Sequence, residues 1–503
     1  MTVFIIRRLI ISMFTLLAAT FVVYAGTAVS GDPLEDLYGI QDENVRDRQI
    51  AERRQWLNLD QPIPLRYLGW LAGLFRGDLG QNIRGQDVSA LLFNAMAATM
   101  QMVIVATVLA IVFGVIVGII SALRQYSGFD YSLTFAAFLF FSLPIFWVAV
   151  MLKQFAAIEF NNWLADPHIP LQVVVALSAV SALVWMAILG GDRQRRVTTL
   201  GVAFVATAVL LWLLSVTRWF ADPGLGLVVV AVLALAAALA ATFLVSGFRY
   251  RPPLVAALVA AGLGMGFYLM SEPLLADPSI WLIFLLTLVT VGVCLGIGYL
   301  VGGLQRRHAM ATATITGLMT GGVIIIDYML QAYAGYAERV RGRPVSTVGA
   351  ATPNFQGDFW QTGLDSAGHL ILPTMALLLV SFAVYTRYTR ASMLEVMNQD
   401  YIRTARSKGL TERTVITKHG FRNALIPVTT LMAFDFGAVI GGAVITERVF
   451  GWQGMGHMFI TGLDEVDPAP VMAFFLVAGG SIVIFNMIAD IAYAYLDPRI
   501  RVS

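Results

Sequence analysis

Twelve apolar runs constrain this chain more than any other feature, at 9–29, 97–121, 131–157, 171–189, 198–217, 225–246, 254–270, 280–301, 310–330, 370–388, 425–445 and 471–496. Each is near the roughly 20 residues that a helix needs to cross the ~30 Å hydrocarbon layer. A segment in that layer must satisfy its own backbone hydrogen bonds, so the runs predict helices and an all-α polytopic membrane protein. With 58% hydrophobic and 13% charged residues, the chain lacks the composition of a water-soluble surface. The net charge of +2 gives no reason to expect nucleic acid as a partner. The single cysteine, Cys294, excludes an intrachain disulfide and a cysteine-ligated metal.

Charge placement predicts sidedness, because short cytoplasmic loops collect Lys and Arg. Every second loop does so: Arg124; Arg193, Arg195 and Arg196; Arg249 and Arg251; Arg306 and Arg307; and the basic stretch from Arg387 to Arg422. Both termini are therefore expected in the cytoplasm. The first run follows Arg7 and Arg8 and is long enough to span, so it reads as an anchored helix and not a cleaved signal. The polar stretch 31–94 is expected as one long extracytoplasmic loop. Three outer loops carry Ala-Asp-Pro, at 165–167, 221–223 and 276–278, which suggests tandem hairpins. Each Asp is expected to cap, and each Pro to open, an inward-running helix.

In the basic loop 391–424, Met393, Leu394, Val396, Met397, Tyr401 and Ala405 recur at helical spacing beside Arg403, Arg406 and Lys408. Gly409 can end that helix in a left-handed cap, and a second helix through Val415, Ile416 and His419 leads back towards Pro427. By itself this pattern fits a solvated positive-inside loop, an amphipath on anionic lipid, or a knob for a partner. Charges inside spans cost about 2.5–3.5 kcal/mol each on insertion scales. Asp435 is central in its run and fits either a translocation path or a packed pair. Asn486 and Asp490 share one helical face and fit a path or helix–helix bonding. Lys153 is expected to reach water. The five histidines show no ligand spacing, so no metal site is expected, and no phosphate-cradling Gly-x-x-x-x-Gly-Lys motif is present.

Several motifs occur in order along the two flanks. They are Ser30-Gly31-Asp32-Pro33, Leu59-Asp60-Gln61-Pro62, Arg76-Gly77-Asp78-Leu79-Gly80, Ser142-Leu143-Pro144-Ile145-Phe146-Trp147, His369 to Pro373, Thr386 to Met393, Asp400 to Leu410, His419 to Pro427, Gly441-Gly442-Ala443, Glu447 to Trp452 and Leu496 to Arg501. On these, residues 1–158 and 364–503 resemble the transmembrane permease subunit of bacterial dipeptide, oligopeptide and nickel ATP-binding-cassette importers. The resemblance implies a six-helix permease core of the type I importer fold, with about six inserted transmembrane helices in 159–363 and twelve spans in total. The first half, 1–158, holds three spans and loop 31–94; the second, 364–503, holds the cytoplasmic coupling loop 391–424. The resemblance assigns ATPase coupling to Tyr401, Arg403, Thr404, Ala405, Lys408, Gly409, Leu410, His419, Arg422 and Asn423. The translocation-path candidates are Asp435, Asn486 and Asp490.

The resemblance also implies a non-catalytic subunit of the bacterial cytoplasmic (inner) membrane, with no cofactor of its own. Its implied partners are a second homologous permease subunit, two cytoplasmic ATPase subunits that bind ATP and Mg, an extracytoplasmic solute-binding protein and membrane lipid. The implied cargo is di- or oligopeptides, with nickel or glutathione as alternatives. A different class, a twelve-span ion-coupled secondary transporter, usually shows two similar halves. Here the visible repeat sits in the middle of the chain.

Overall fold

The computed structural model describes residues 2–248 and 250–496. Arg249, named among the inner-loop arginines, and the 497–501 part of the last motif lie outside the described residues. The helices are α1 (Thr2–Val29), α2 (Glu43–Trp56), α3 (Ile63–Leu74), α4 (Val88–Leu123), α5 (Gly128–Ser142), α6 (Ile145–Leu164), α7 (Leu171–Leu189), α8 (Arg193–Val216), α9 (Gly226–Val245) and α10 (Arg251–Met270). They continue as α11 (Ile280–Val301), α12 (Arg306–Gln331), α13 (Tyr333–Arg339), α14 (Phe359–Met397), α15 (Asp400–Ser407), α16 (Arg422–Phe450), α17 (Met455–Asp464) and α18 (Pro468–Leu496). The expected all-α architecture holds.

Among the described residues ten helices are long and apolar enough to cross a bilayer, and α5 with α6 forms a further, bent pair. The eleventh run, 425–445, is covered by the 29-residue α16. The third run, expected as one span, carries a 103° bend between Ser142 and Ile145. Pro144 explains it: proline has no N–H to give the helix, and it drives Leu143 into an extended conformation at φ −80°, ψ 130°. Beyond the bend, Leu152–Glu159 continues with π-helical bonding.

The core is organised on α4 and α14, which run parallel and in close contact. Their approach depends on Gly114 and Gly118, a small-residue pair four apart. A Cβ on Gly118 would lie 2.8 Å from Thr386 O and from Thr389 Cβ, so any side chain there separates the helices. Val88, Met102, Val103, Trp452, Met455 and Ala473 are buried in one cluster, drawing α17 and α18 onto the N-terminal half of α4.

The middle of the chain divides in two. Helices α7 and α8 form a hairpin bonded through Ser181 and Thr207 at 2.8 Å, with α7 also touching α5. Helices α9 to α12 form a bundle of their own. None of the three Ala-Asp-Pro aspartates caps the helix that follows it, which corrects that expectation. Pro170 precedes α7 without a side-chain cap, Ser279 Oγ caps α11, and Asp277 instead accepts from Phe359 N at 2.9 Å. The start of α9 is capped from a distance: Asp327 Oδ1 accepts from Leu225 N at 2.8 Å and Gly226 N at 3.3 Å. Its other oxygen accepts from Tyr268 Oη and Gln331 Nε2, at 2.5 and 2.7 Å, so this fully buried carboxylate knits α9, α10 and α12 together. Near the two ends of the middle region, Asn161 Nδ2 donates to Val345 O at 2.7 Å and Val345 N to Asn161 Oδ1 at 3.2 Å. The chain thus leaves and re-enters the flanking core at one place.

Candidate functional site: a helical hairpin on a braced stem

Helix α14 continues past its apolar run to Met397, where Asn398 caps it and Gln399 opens α15. This break changes the register. Met393 and Ala405 are buried as expected, but Tyr401 is 42% exposed and Ile402 takes the inward position, packed on Ala405 and Val415. The single stripe drawn from Met393 to Tyr401 is therefore corrected: helical spacing counted across Asn398–Gln399 assigns the wrong neighbour. Ile402 was missed because it stands one place from the predicted stripe.

Gly409 ends α15 as expected. At φ +75° it is left-handed, with Gly409 N bonded to Arg406 O at 3.0 Å and Leu410 N to Ala405 O at 3.4 Å. This pair of bonds is the Schellman pattern for a helix C-terminus. Arg406 then makes a two-pronged contact with Glu412, at 2.7 and 3.2 Å, across the turn. The guanidinium holds the Glu412 carboxyl below its usual range. After a short turn at Glu412–Thr414, the expected second helix is π-helical over Val415–Phe421 and runs straight into α16. Tyr401, Arg403, Thr404, Lys408, Gly409 and Leu410 are exposed together, and Arg422 and Asn423 are exposed at the return; Ala405 is buried and His419 half-buried. The hairpin is thus a firm body with an exposed rim.

The stem below it is braced by groups the sequence did not single out. Arg390 of α14 reaches Asp130 in the first turn of α5 through two bonds, Nε to Oδ1 at 2.6 Å and Nη2 to Oδ2 at 2.8 Å. Ser121 Oγ and Tyr126 N also donate to Asp130, which joins the ends of α4, α5 and α14. Asp435 of α16 accepts from Tyr385 Oη of α14 at 2.8 Å. Asn486 is half-buried in α18, and the side chain of Asp490 lies outside the described residues. The Lys153 ammonium donates to Val449 O at 3.1 Å.

At the opposite end, Glu447 is fully buried and accepts from Thr99 Oγ1, Gly456 N and His457 N at 2.6, 2.7 and 3.1 Å, holding the start of α17 to α4. Asp467 accepts from Ile83 N at 2.7 Å and Ala469 N at 3.2 Å, pinning the segment between α3 and α4 to the start of α18. Burial pushes the Asp467 carboxyl up from 3.8 to about 6. Between those values the folded chain keeps a proton that the unfolded chain has lost, so stability falls as pH rises through this window and levels off above it. The expected loss is about 2 to 3 kcal/mol. Thermal unfolding in lipid nanodiscs should show a lower midpoint at pH 7 than at pH 4.5, and Asp467→Asn should flatten that slope.

The spanning helices, one of which continues into a braced, exposed hairpin, make an all-α polytopic membrane architecture. Residues 254–502 match the model of the family described as the binding-protein-dependent transport system inner membrane component. This chain resembles that family over just under half of its length. It is 43% identical over 155 residues to the oligopeptide transport system permease protein OppB of Mycobacterium tuberculosis, covering 31% of this chain and 48% of that one. It is 47% identical over 137 residues to the oligopeptide transport system permease protein AppB of Bacillus subtilis, 27% of this chain and 43% of that one. The glutathione transport system permease protein GsiC of Escherichia coli is 41% identical over 139 residues, 28% of this chain and 45% of that one. In these comparisons the chain spans about half the length of the curated relatives it matches.

Proposed function

We propose that this chain is the non-catalytic, membrane-spanning subunit of an ATP-driven, binding-protein-dependent importer that moves di- or oligopeptides across the bacterial inner membrane by alternating access. The observation that carries the reading is the exposed rim of the α15 hairpin, on a chain that resembles this family. Tyr401, Arg403, Thr404, Lys408, Gly409 and Leu410 stand clear of the body, while Ile402, Ala405 and Val415 anchor it. A surface held this firmly can pass displacement from a motor to the spans, and the motor is another chain that carries ATP and Mg. The full assembly we propose has two such ATPases, a second homologous permease and an extracytoplasmic solute-binding protein, with both termini of this chain in the cytoplasm. His419, Arg422 and Asn423 complete the coupling contact, and Asp435, Asn486 and Asp490 are the polar groups proposed for the path. Two of the three relatives above are named for oligopeptides and one for glutathione, which supports a peptide backbone as the common cargo chemistry.

The reading also takes 159–363 as an insertion into the permease core, supported by the reciprocal Asn161–Val345 bonds at its base. Purification of the tagged chain from its own cells should bring down two ATPase chains. Proteoliposomes of that complex should take up labelled peptide with ATP and binding protein, indifferent to ionophores. Uptake without ATP that ionophores abolish would instead establish an ion-coupled carrier and overturn the proposal. A complex lacking about 165–342 should retain ATP-dependent uptake.

A further inference from the structure

The bundle of α9 to α12 carries its charges at its two ends, and the ends differ in sign. From Pro223 to Ser271 and from Pro278 to Ile326 the sequence has no Asp or Glu. The acids of the bundle, Asp222, Glu272, Asp277 and Asp327, all stand around the starts of α9 and α11 and the ends of α10 and α12. The opposite end holds Arg249, Arg251, Arg306, Arg307 and His308, in the α9–α10 connection or in the first residues of α10 and α12. Elsewhere in the chain arginines find carboxylates, as Arg53 does in Asp36, Arg390 in Asp130 and Arg406 in Glu412. Arg251, Arg306 and Arg307 form no ion pair among the described residues, and the bundle has no acid at their end to supply one.

These cations border a recess of about 480 Å³ between the two connections. Val245, Ser246 and Tyr250 line one side, and Gly303 to His308 line the other. Arg306 is held at the rim, its guanidinium carbon 4.4 Å from the centre of the Tyr299 ring, and Arg307 and His308 are exposed. Beside them stand apolar side chains that a water-facing loop would bury. Leu304 is fully exposed, Leu300 is 82% exposed, and Phe248 and Tyr250 are exposed on the other connection. Arginine heads interleaved with exposed leucine and aromatic side chains at the end of a span are the pattern of the lipid headgroup layer.

We propose that this recess is a binding site for the phosphodiester headgroup of an anionic phospholipid, with Arg306 and Arg307 receiving the phosphate and Leu304 and Tyr250 lying against the apolar part of the lipid next to it. A guanidinium presents paired donors that match two oxygens of a phosphate. Charge decides the kind of lipid. A zwitterionic headgroup brings its own cation to an end of the bundle where no carboxylate meets it, whereas an anionic headgroup only neutralises the arginines. The site belongs to α9–α12 and does not depend on the α15 hairpin or on the transport reading, so it is measured without ATP.

The test uses the full chain in dodecyl maltoside micelles, titrated with dioleoyl phosphatidylglycerol, dioleoyl phosphatidylcholine or glycerol phosphate, with the bound molecules counted by native mass spectrometry. Phosphatidylglycerol is expected to bind about tenfold more tightly than phosphatidylcholine, and Arg306→Gln combined with Arg307→Gln should remove that preference. Lysine at both positions keeps the charge without the paired donors and should retain part of it. The comparison chain, Arg193→Gln with Arg195→Gln, loses the same charge from the start of α8, where Asp192 already stands beside it, and its preference should be unchanged. Leu304→Gln alters a fully exposed side chain and disturbs no packing. It should weaken phosphatidylglycerol about threefold and leave glycerol phosphate unaffected, and it serves as the test if the doubly substituted chain fails to fold. An equal loss in both double variants, or phosphatidylcholine bound as tightly as phosphatidylglycerol, would reduce the recess to diffuse surface charge and overturn the proposal. Glycerol phosphate bound as tightly as the lipid, with the same dependence on the two arginines, would make this a site for a soluble phosphate and overturn the lipid assignment.

Discussion

Arg390→Met is expected to cost the folded chain about 3 to 5 kcal/mol, the range for removing one partner of a buried ion pair. The reason lies in what stays behind. The Asp130 side chain is 2% exposed and Arg390's is 27% exposed, so loss of the arginine strands a carboxylate that cannot reach water. Ser121 Oγ and Tyr126 N still donate to it, but neither carries charge. The converse change, Asp130→Asn, should cost less, because the longer arginine can bend its head towards water along its own stem. The double variant should recover part of the single losses, since the uncompensated charge is then gone. Unfolding midpoints of the four chains in nanodiscs measure this cycle, and simple additivity would show that the pair is not coupled. Uptake should fall with the single variants beyond what lost protein explains, because the pair fixes the stem of the hairpin to α4 and α5.

That brace was not legible in the sequence, and the reason is distance along the chain. Arg390 and Asp130 are separated by 260 residues, and each alone reads as an ordinary inner-face charge. Asp327 is a similar case: local rules pointed to Asp222 as the cap of α9, whereas the cap comes from 102 residues away. The spans themselves were legible because a bilayer imposes length and apolarity on each helix locally. What locality could not give was shape. The 131–157 run has the composition of one span, and Pro144 within it decides that the helix turns through 103°.

The candidate site divides along the same line. Gly409 was readable, since a glycine after a helical stretch with Lys and Arg in its last turn is a recognisable stop. The exposed rim was readable by resemblance. The inward anchor Ile402 was not, because the break at Asn398–Gln399 resets the helical phase and no spacing rule crosses it.

Gly409→Val is expected to abolish ATP-driven uptake, at least tenfold, in a chain that still reaches the membrane and folds. Two quantities separate this from general damage. A Cβ at Gly409 would meet no atom within 4 Å, so the chain itself has room for a side chain there. The φ of +75° is nevertheless a conformation that costs a β-branched residue about 1 to 3 kcal/mol, which the small α15 hairpin must absorb by re-forming its turn. The Arg406–Glu412 contact and the Leu410–Ala405 bond would then shift, moving Leu410, 40% exposed, out of its place on the rim. Asparagine tolerates the left-handed region far better than valine. Gly409→Asn should therefore keep the turn and alter only the surface. If a motor subunit grips this rim closely, uptake falls in both variants while ATP hydrolysis by the complex continues. If the turn alone matters, the asparagine variant transports normally and only valine fails. Full uptake in both would remove the hairpin from the coupling path, because neither the shape of the rim nor its contact surface would then bear on transport.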